Sequence, residues 1–253
     1  MKRAFGYVAI AGIALALSAC GPQRPRGPSN AVIARALTGA PGEAQPSAIV
    51  ATEIAFARAA REEGQWTAFA EFAAPGALIH GTGGVIEAAP WLATQSNPPE
   101  AVQWGVRTVL MSCDGSLALS QGRYRDPDGI VGNYVTAWQR QPDRTYRYLY
   151  DAGGPDVPQP TAQPDFEDGD IVVTAIDSIK GLVATCPRAG DPLPPPPTTS
   201  AVAERPQDVR QSSDGTLRWR FEHRGEGEKY VVAEYYYLGK WTTALEESLA
   251  SGT

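Results

Sequence analysis

The chain has 253 residues, of which 43% are apolar and 20% charged, an ordinary globular balance that excludes a wholly disordered protein. Its 22 basic and 28 acidic side chains leave a net charge of −6, which argues against nucleic acid, whose phosphates need a basic face. With 26 glycines and 22 prolines, part of the chain reads as linker rather than core.

Lys2 and Arg3 precede an apolar stretch, Ala4 to Leu17, that is short for a bilayer span and ends in small residues, as an export signal does. Leu17-Ser18-Ala19-Cys20-Gly21 resembles the lipobox of bacterial lipoproteins. That resemblance implies removal of residues 1–19, acylation of Cys20 and, because Gly21 rather than Asp follows, sorting to the outer membrane facing the periplasm. The competing reading is an ordinary signal peptide with a chance cysteine. Acyl chains contribute about 0.8 kcal/mol per buried CH2, so a multiply acylated Cys20 anchors without a transmembrane helix. Loss of Lys2 and Arg3 makes the mature chain more acidic still, which argues against a polybasic contact with anionic lipid. Residues 20–47 carry Pro22, Pro25, Pro28, Pro41 and Pro46 and read as a tether reaching roughly 30 Å.

Residues 48–63 have helical period, with Val50, Ile54 and Ala57 on one face, Phe56 and Ala60 beside it, and Gly64 as a stop. A second helix follows over 65–73 and a third over 87–95, with a strand candidate at Ala77–His80 and a Gly-rich loop at 81–84 between them. The period then becomes alternating. Strands are expected at 102–110, 116–124, 131–141 and 145–151, with turns at Asp114-Gly115, Asp126–Gly129 and Pro142-Asp143. Beyond a loop at 152–169, Ile171–Ile179 reads as a strand, and Pro192–Pro197 as a stiff spacer or a proline-rich recognition segment. Thr216–His223 and Tyr230–Leu238 read as a closing hairpin, with no repeat of the whole unit in view. Two thiols remain after Cys20, and in an oxidising compartment Cys113 and Cys186 pair or stay as buried free thiols. A bond would add about 4 kcal/mol through chain entropy.

Helices followed by antiparallel strands give an α+β class. Glu53-Ile-Ala-Phe56-Ala57 with Gly64-Gln-Trp66-Thr-Ala-Phe69, the Asp114-Gly115 hairpin, and Gly132-Asn-Tyr134-Val-Thr136-Ala-Trp138 followed by Tyr146-Arg-Tyr148 resemble the cone-shaped fold of nuclear transport factor, SnoaL-like cyclases and ketosteroid isomerase. The resemblance covers residues 48–152. It implies three helices on a curved antiparallel sheet enclosing a pocket, with residues 153–253 as a β-rich extension packed on the cone.

That pocket draws its candidates from Trp66, Phe69, Trp91, Trp104, Tyr134, Thr136, Trp138 and Tyr148, although each aromatic is also an ordinary core residue. His80 and Asp151 are the candidate bases. No Walker loop, hydrolase elbow or metal-ligand spacing is present, so no cofactor or metal is expected. Two readings follow. The first is a non-catalytic lipoprotein binding a small apolar ligand or an envelope protein. The second is an enzyme of isomerase, cyclase or dehydratase type using His80 or Asp151. A buried carboxylate of raised pKa within hydrogen-bond reach of a pocket tyrosine would overturn the first, and the second expects His80 or Asp151 to point into the cavity.

Overall fold

The computed structural model describes residues 43–160, 178–187, 192–205 and 208–251. The lipobox, Cys20, most of the tether and nearly all of the strand expected at Ile171–Ile179 lie outside the described residues.

Pro46 opens helix α1 (Pro46–Glu63), where its missing N–H costs nothing, and Gly64 at φ 108° ends it. Helix α2 (Gln65–Phe72) starts at once. Its free N–H groups are capped from a distance: Asn97 Oδ1 accepts from the Trp66 N–H at 2.7 Å and the Thr67 N–H at 3.2 Å. A side chain at position 64 would collide with that cap, since a Cβ there would lie 2.2 Å from Asn97 Nδ2. The chain continues through β1 (Ala73–Gly81), β2 (Gly84–Glu87) and the short helix α3 (Ala88–Leu92). The expected Gly-rich loop is the turn of the β1–β2 hairpin, which pairs Gly81 with Gly84.

Strands β3 (Gln103–Met111), β4 (Leu117–Arg125), β5 (Val131–Arg140) and β6 (Tyr146–Pro155) form the expected meander. With β1, β2 and β7 (Lys180–Val183) they make a seven-stranded sheet in the order β2-β1-β6-β5-β4-β3-β7. This sheet is mixed rather than antiparallel, because β1 runs parallel to β6 and β7 parallel to β3. The expectation fails at both flanks. There the joining strand arrives after a long excursion, so no tight hairpin fixes its direction.

β8 (Arg210–Gln211), β9 (Leu217–His223), β10 (Lys229–Tyr237) and β11 (Lys240–Leu249) form a second, four-stranded antiparallel sheet. The closing hairpin was legible in the sequence. β11 was not, because Thr242, Thr243, Glu246 and Glu247 dilute its apolar pattern.

The first sheet buries two faces. Val109, Met111, Ala118, Trp138, Tyr146 and Tyr148 pack against Ile49, Phe56, Ala60 and Ala68 of the helices. Leu110, Leu119, Val135, Ala137, Tyr150 and Ala152 pack against Leu217, Trp219, Val231, Ala233 and Leu245 of the second sheet. Burial on both faces removes water from a large apolar area at roughly 25 cal/mol per Å2.

Two matching turns join the sheets. In Ser112–Leu117 and again in Ser212–Leu217, the serine N–H donates to the leucine carbonyl at 3.0 and 2.9 Å, and the leucine N–H donates to the serine hydroxyl at 3.2 and 3.1 Å. Each turn needs its glycine, Gly115 at φ 66° and Gly215 at φ 72°. The turns also clasp each other: the Cys113 N–H donates to Thr216 Oγ1 and the Ser213 N–H to Ser116 Oγ, both at 3.0 Å. A short repeat is therefore present, smaller than a whole unit. Cys113 and Cys186 form a disulfide with Cα atoms 5.2 Å apart, beside backbone bonds from Ala184 to Met111 and from Thr185 to Tyr236. This strap ties β3 of the first sheet to β10 of the second.

The outer face of the second sheet carries charge. Arg218 pairs with Glu234 at 2.5 Å, and the fully buried Arg220 pairs with Glu222 and, at 3.0 Å, Glu204. Residues 192–205 cover this layer. Ser200 Oγ accepts from Arg218 at 3.0 Å, the Ala201 carbonyl from Arg220 at 2.7 Å, and the Pro194 carbonyl from Trp241 at 3.2 Å. Of the proline run, Leu193 and Pro194 are half-buried while Pro192 and Pro195–Pro197 stay exposed.

Candidate functional site

A cavity of about 350 Å3 lies between the helices and the helix-facing side of the first sheet. Phe56, Trp66, Phe69, Trp104 and Tyr124 supply aromatic wall, and Ile79 and Val102 add aliphatic surface. Its polar groups are Gln65, Asp126, Tyr134, Thr136 and Asp151.

Asp151 reaches the cavity through a break in strand alternation. β5 and β6 pair Trp138 with Tyr148 but Ala137 with Tyr150, which leaves Leu149 unpaired as a bulge. A bulge reverses the facing of everything beyond it. Tyr148 therefore faces the helices, Tyr150 faces the second sheet, and Asp151 returns to the helix side opposite Thr136. Thr136 Oγ1 donates to Asp151 Oδ1 at 2.7 Å. Burial in an apolar wall raises the Asp151 pKa to about 6, the Thr136 bond opposing the shift.

The second carboxylate, Glu53, lies in the apolar stripe of α1 with Ile49, Phe56, Ala57 and Ala60. It is 2% exposed. Ser120 Oγ donates to Oε1 at 2.5 Å and Trp104 Nε1 to Oε2 at 3.1 Å. Ser120 is itself held by the Trp138 indole N–H at 2.8 Å. Desolvation raises the Glu53 pKa to about 7. The Ser120 bond partly offsets it, and the Asp151 charge adds to it.

Tyr134 completes the set. It couples to both carboxylates, and burial holds its phenol well above its ordinary pKa. Its hydroxyl is buried without a partner at hydrogen-bond geometry, an uncommon state for a buried polar atom. Its ring lies over Gly122, where a Cβ would come within 2.7 Å of Tyr134 Cε1 and 2.2 Å of the Gly105 carbonyl.

Of the sequence candidates, Trp66, Phe69, Trp104, Tyr134, Thr136 and Asp151 line the cavity. Trp138 and Tyr148 are fully buried core beneath the aromatic cluster, and Trp91 packs on Trp66 at 5.0 Å, outside the lining. His80 does not reach the cavity. It lies between the sheets, with Nδ1 2.7 Å from the Tyr150 hydroxyl and Nε2 3.0 Å from His223 Nδ1. Desolvation lowers its pKa to about 4, so the ring is neutral at pH 7. It faces the second sheet because its β1 neighbour Ile79 takes the cavity side.

Sequence reasoning passed over Glu53 as a functional group. α1 is also turned from the expected face: Ile54 is 62% exposed and Ile49 is buried. A glutamate inside an apolar helical stripe was the available signal, since such a group stays buried only when bonded or protonated. Among the described residues no group of three or more His, Cys, Asp or Glu is arranged to hold a metal ion. Among them no helix is long and apolar enough to cross a membrane. No family model and no curated protein matches the chain.

Proposed function

We propose that the cavity is a general acid–base catalytic site of isomerase, cyclase or dehydratase type, acting on a small, largely apolar molecule. The carrying observation is the convergence of the buried Glu53 and the half-buried Asp151, both held above the ordinary carboxylate range by desolvation, with the Tyr134 hydroxyl, which neighbours Glu53 and meets no partner at hydrogen-bond geometry. Desolvation that raises a carboxyl toward neutrality suits it to acid–base work. Asp151, the one of the two that lines the cavity, serves as base. It removes a proton from carbon next to a substrate carbonyl. Tyr134 keeps its proton and donates a hydrogen bond to the oxygen on which charge develops. Asp151 then returns the proton to another carbon. Glu53 is half protonated near pH 7 and keeps excess negative charge from the base. The order of helices and strands supports the cone fold of the isomerase and cyclase families, with the second sheet on its outer face.

The same wall, mostly rings, also suits a non-catalytic site for a small apolar ligand, and an envelope protein on the outer surface is the further partner that location suggests. The leader and lipobox support attachment at Cys20, in the outer membrane and facing the periplasm. Hydrogen–deuterium exchange next to the carbonyl of a panel of small cyclic ketones, followed by mass spectrometry, tests the catalytic reading. Exchange that Asp151→Asn abolishes and Tyr134→Phe slows supports it. Exchange no faster than in buffer refutes it.

A further inference from the structure

The walls of the cavity carry acid and rings, and no Lys, Arg or His is among its lining residues. We infer that its ligand carries one positive charge, an amine or quaternary ammonium on an apolar frame, held among the rings beside Asp151. This rests on the reading of the cavity as a small-molecule site and names the class of molecule.

Three observations support it. First, Asp151 accepts a hydrogen bond from Thr136 of β5, its charge is felt by Glu53 of α1, Tyr134 of β5 and Tyr148 and Tyr150 of β6, and the cavity lining adds Tyr124 and Asp126 from β4 and its turn, all acidic or neutral. A carboxylate or phosphate ligand would meet only like charge and find no cation to accept it. Second, Trp66, Phe69, Trp104 and Tyr124 form the walls, and the faces of such rings attract cations, most strongly where water is excluded. Third, Tyr134 lines the cavity at 6% exposure, and its hydroxyl meets no protein atom at hydrogen-bond geometry, with the Glu53 carboxyl as its neighbour, so it can turn toward a ligand atom. A cation beside Asp151 also offsets the burial of that carboxylate, which no basic side chain of the cavity does.

The test uses choline and its uncharged carbon analogue 3,3-dimethylbutan-1-ol, which share size and hydroxyl and differ in charge. Each is titrated calorimetrically into the full-length protein at pH 8 and at pH 5. Choline is expected to bind roughly tenfold more tightly than the alcohol at pH 8. That preference shrinks at pH 5, where Asp151 and Glu53 take up protons, and in Asp151→Asn at pH 8. The pH series on the unaltered protein keeps the test decisive should the variant fold poorly. Equal or tighter binding of the alcohol, no binding of either, or a preference unchanged at pH 5 overturns the inference. The acid–base reading fails separately, if choline binds as expected and the protein still exchanges no hydrogen beside a ketone carbonyl.

Discussion

Glu53→Gln isolates the energetic consequence of burying a carboxylate in α1. The folded protein raises the Glu53 pKa from 4.5 to about 7. The folded state therefore holds this proton more tightly than the unfolded state. The associated stability is fully present below pH 4.5 and is lost as pH rises through about 7. At about 1.4 kcal/mol per pKa unit, the loss is about 3 kcal/mol by pH 8. Asp151, raised from 3.8 to about 6, adds a loss of the same sign, and the two titrate as a pair. His80, lowered from 6.5 to about 4, acts oppositely, its share being present above pH 6.5 and lost as pH falls through about 4. Glutamine keeps the shape and does not ionise. Its carbonyl can accept from Trp104, while its amide donates to Ser120, whose hydroxyl has room to turn. Urea unfolding of both proteins at pH 4 and pH 8, followed by circular dichroism, gives the difference free of Asp151 and His80 to first order. The variant should gain roughly 2–3 kcal/mol on the unaltered protein between pH 4 and pH 8. A stability difference that is the same at both pH values would refute the burial argument.

Replacing Cys113 and Cys186 together by Ser should cost about 4 kcal/mol in urea unfolding under non-reducing conditions, from a loop of 73 residues. Unchanged stability would show that the backbone bonds at Ala184 and Thr185 suffice to join the sheets. Gly122→Ala places a methyl against the Gly105 carbonyl and the Tyr134 ring. It should destabilise by about 1–3 kcal/mol and shift the Tyr134 side-chain resonances, whereas an unmoved Tyr134 would place the crowding elsewhere. Arg218→Met strands Glu234 beneath the 192–205 cover and should cost roughly 3–5 kcal/mol by thermal unfolding. A cost under 1 kcal/mol would show that water reaches this pair. Cys20→Ser should abolish metabolic labelling with palmitate and release the protein from the membrane fraction, and retention there would point to another anchor.

The meander was legible because Asp114-Gly115, Asp126–Gly129 and Pro142-Asp143 mark its turns and the segments between them alternate over part of their length. What escaped was set by contacts distant in sequence. β1 and β7 carry no turn signal that dictates parallel pairing. The bulge at Leu149 leaves no mark among Tyr148, Leu149 and Tyr150, yet it decides that Asp151 and not Tyr150 meets the cavity. His80 looked equally eligible from sequence, and one position along β1 sends it to the far side of the sheet. Glu53 was readable in principle, as an acid in an apolar stripe. Its significance came from Ser120 and Trp104 on strands more than fifty residues away. The twin turns at Ser112 and Ser212 share the pattern Ser-x-Asp-Gly-Ser/Thr-Leu, which is visible in sequence once the reciprocal bonds between them are known.

The central claim is that two neighbouring carboxylates, Asp151 on the cavity wall and Glu53 buried beside it, titrate near neutrality. Carbon-13 NMR of protein labelled at the Asp and Glu carboxyl groups measures this directly, with Glu53→Gln and Asp151→Asn as assignments. The account predicts two resonances with midpoints near pH 6 and pH 7, each lost in its own variant. Midpoints below pH 5 for both would contradict it.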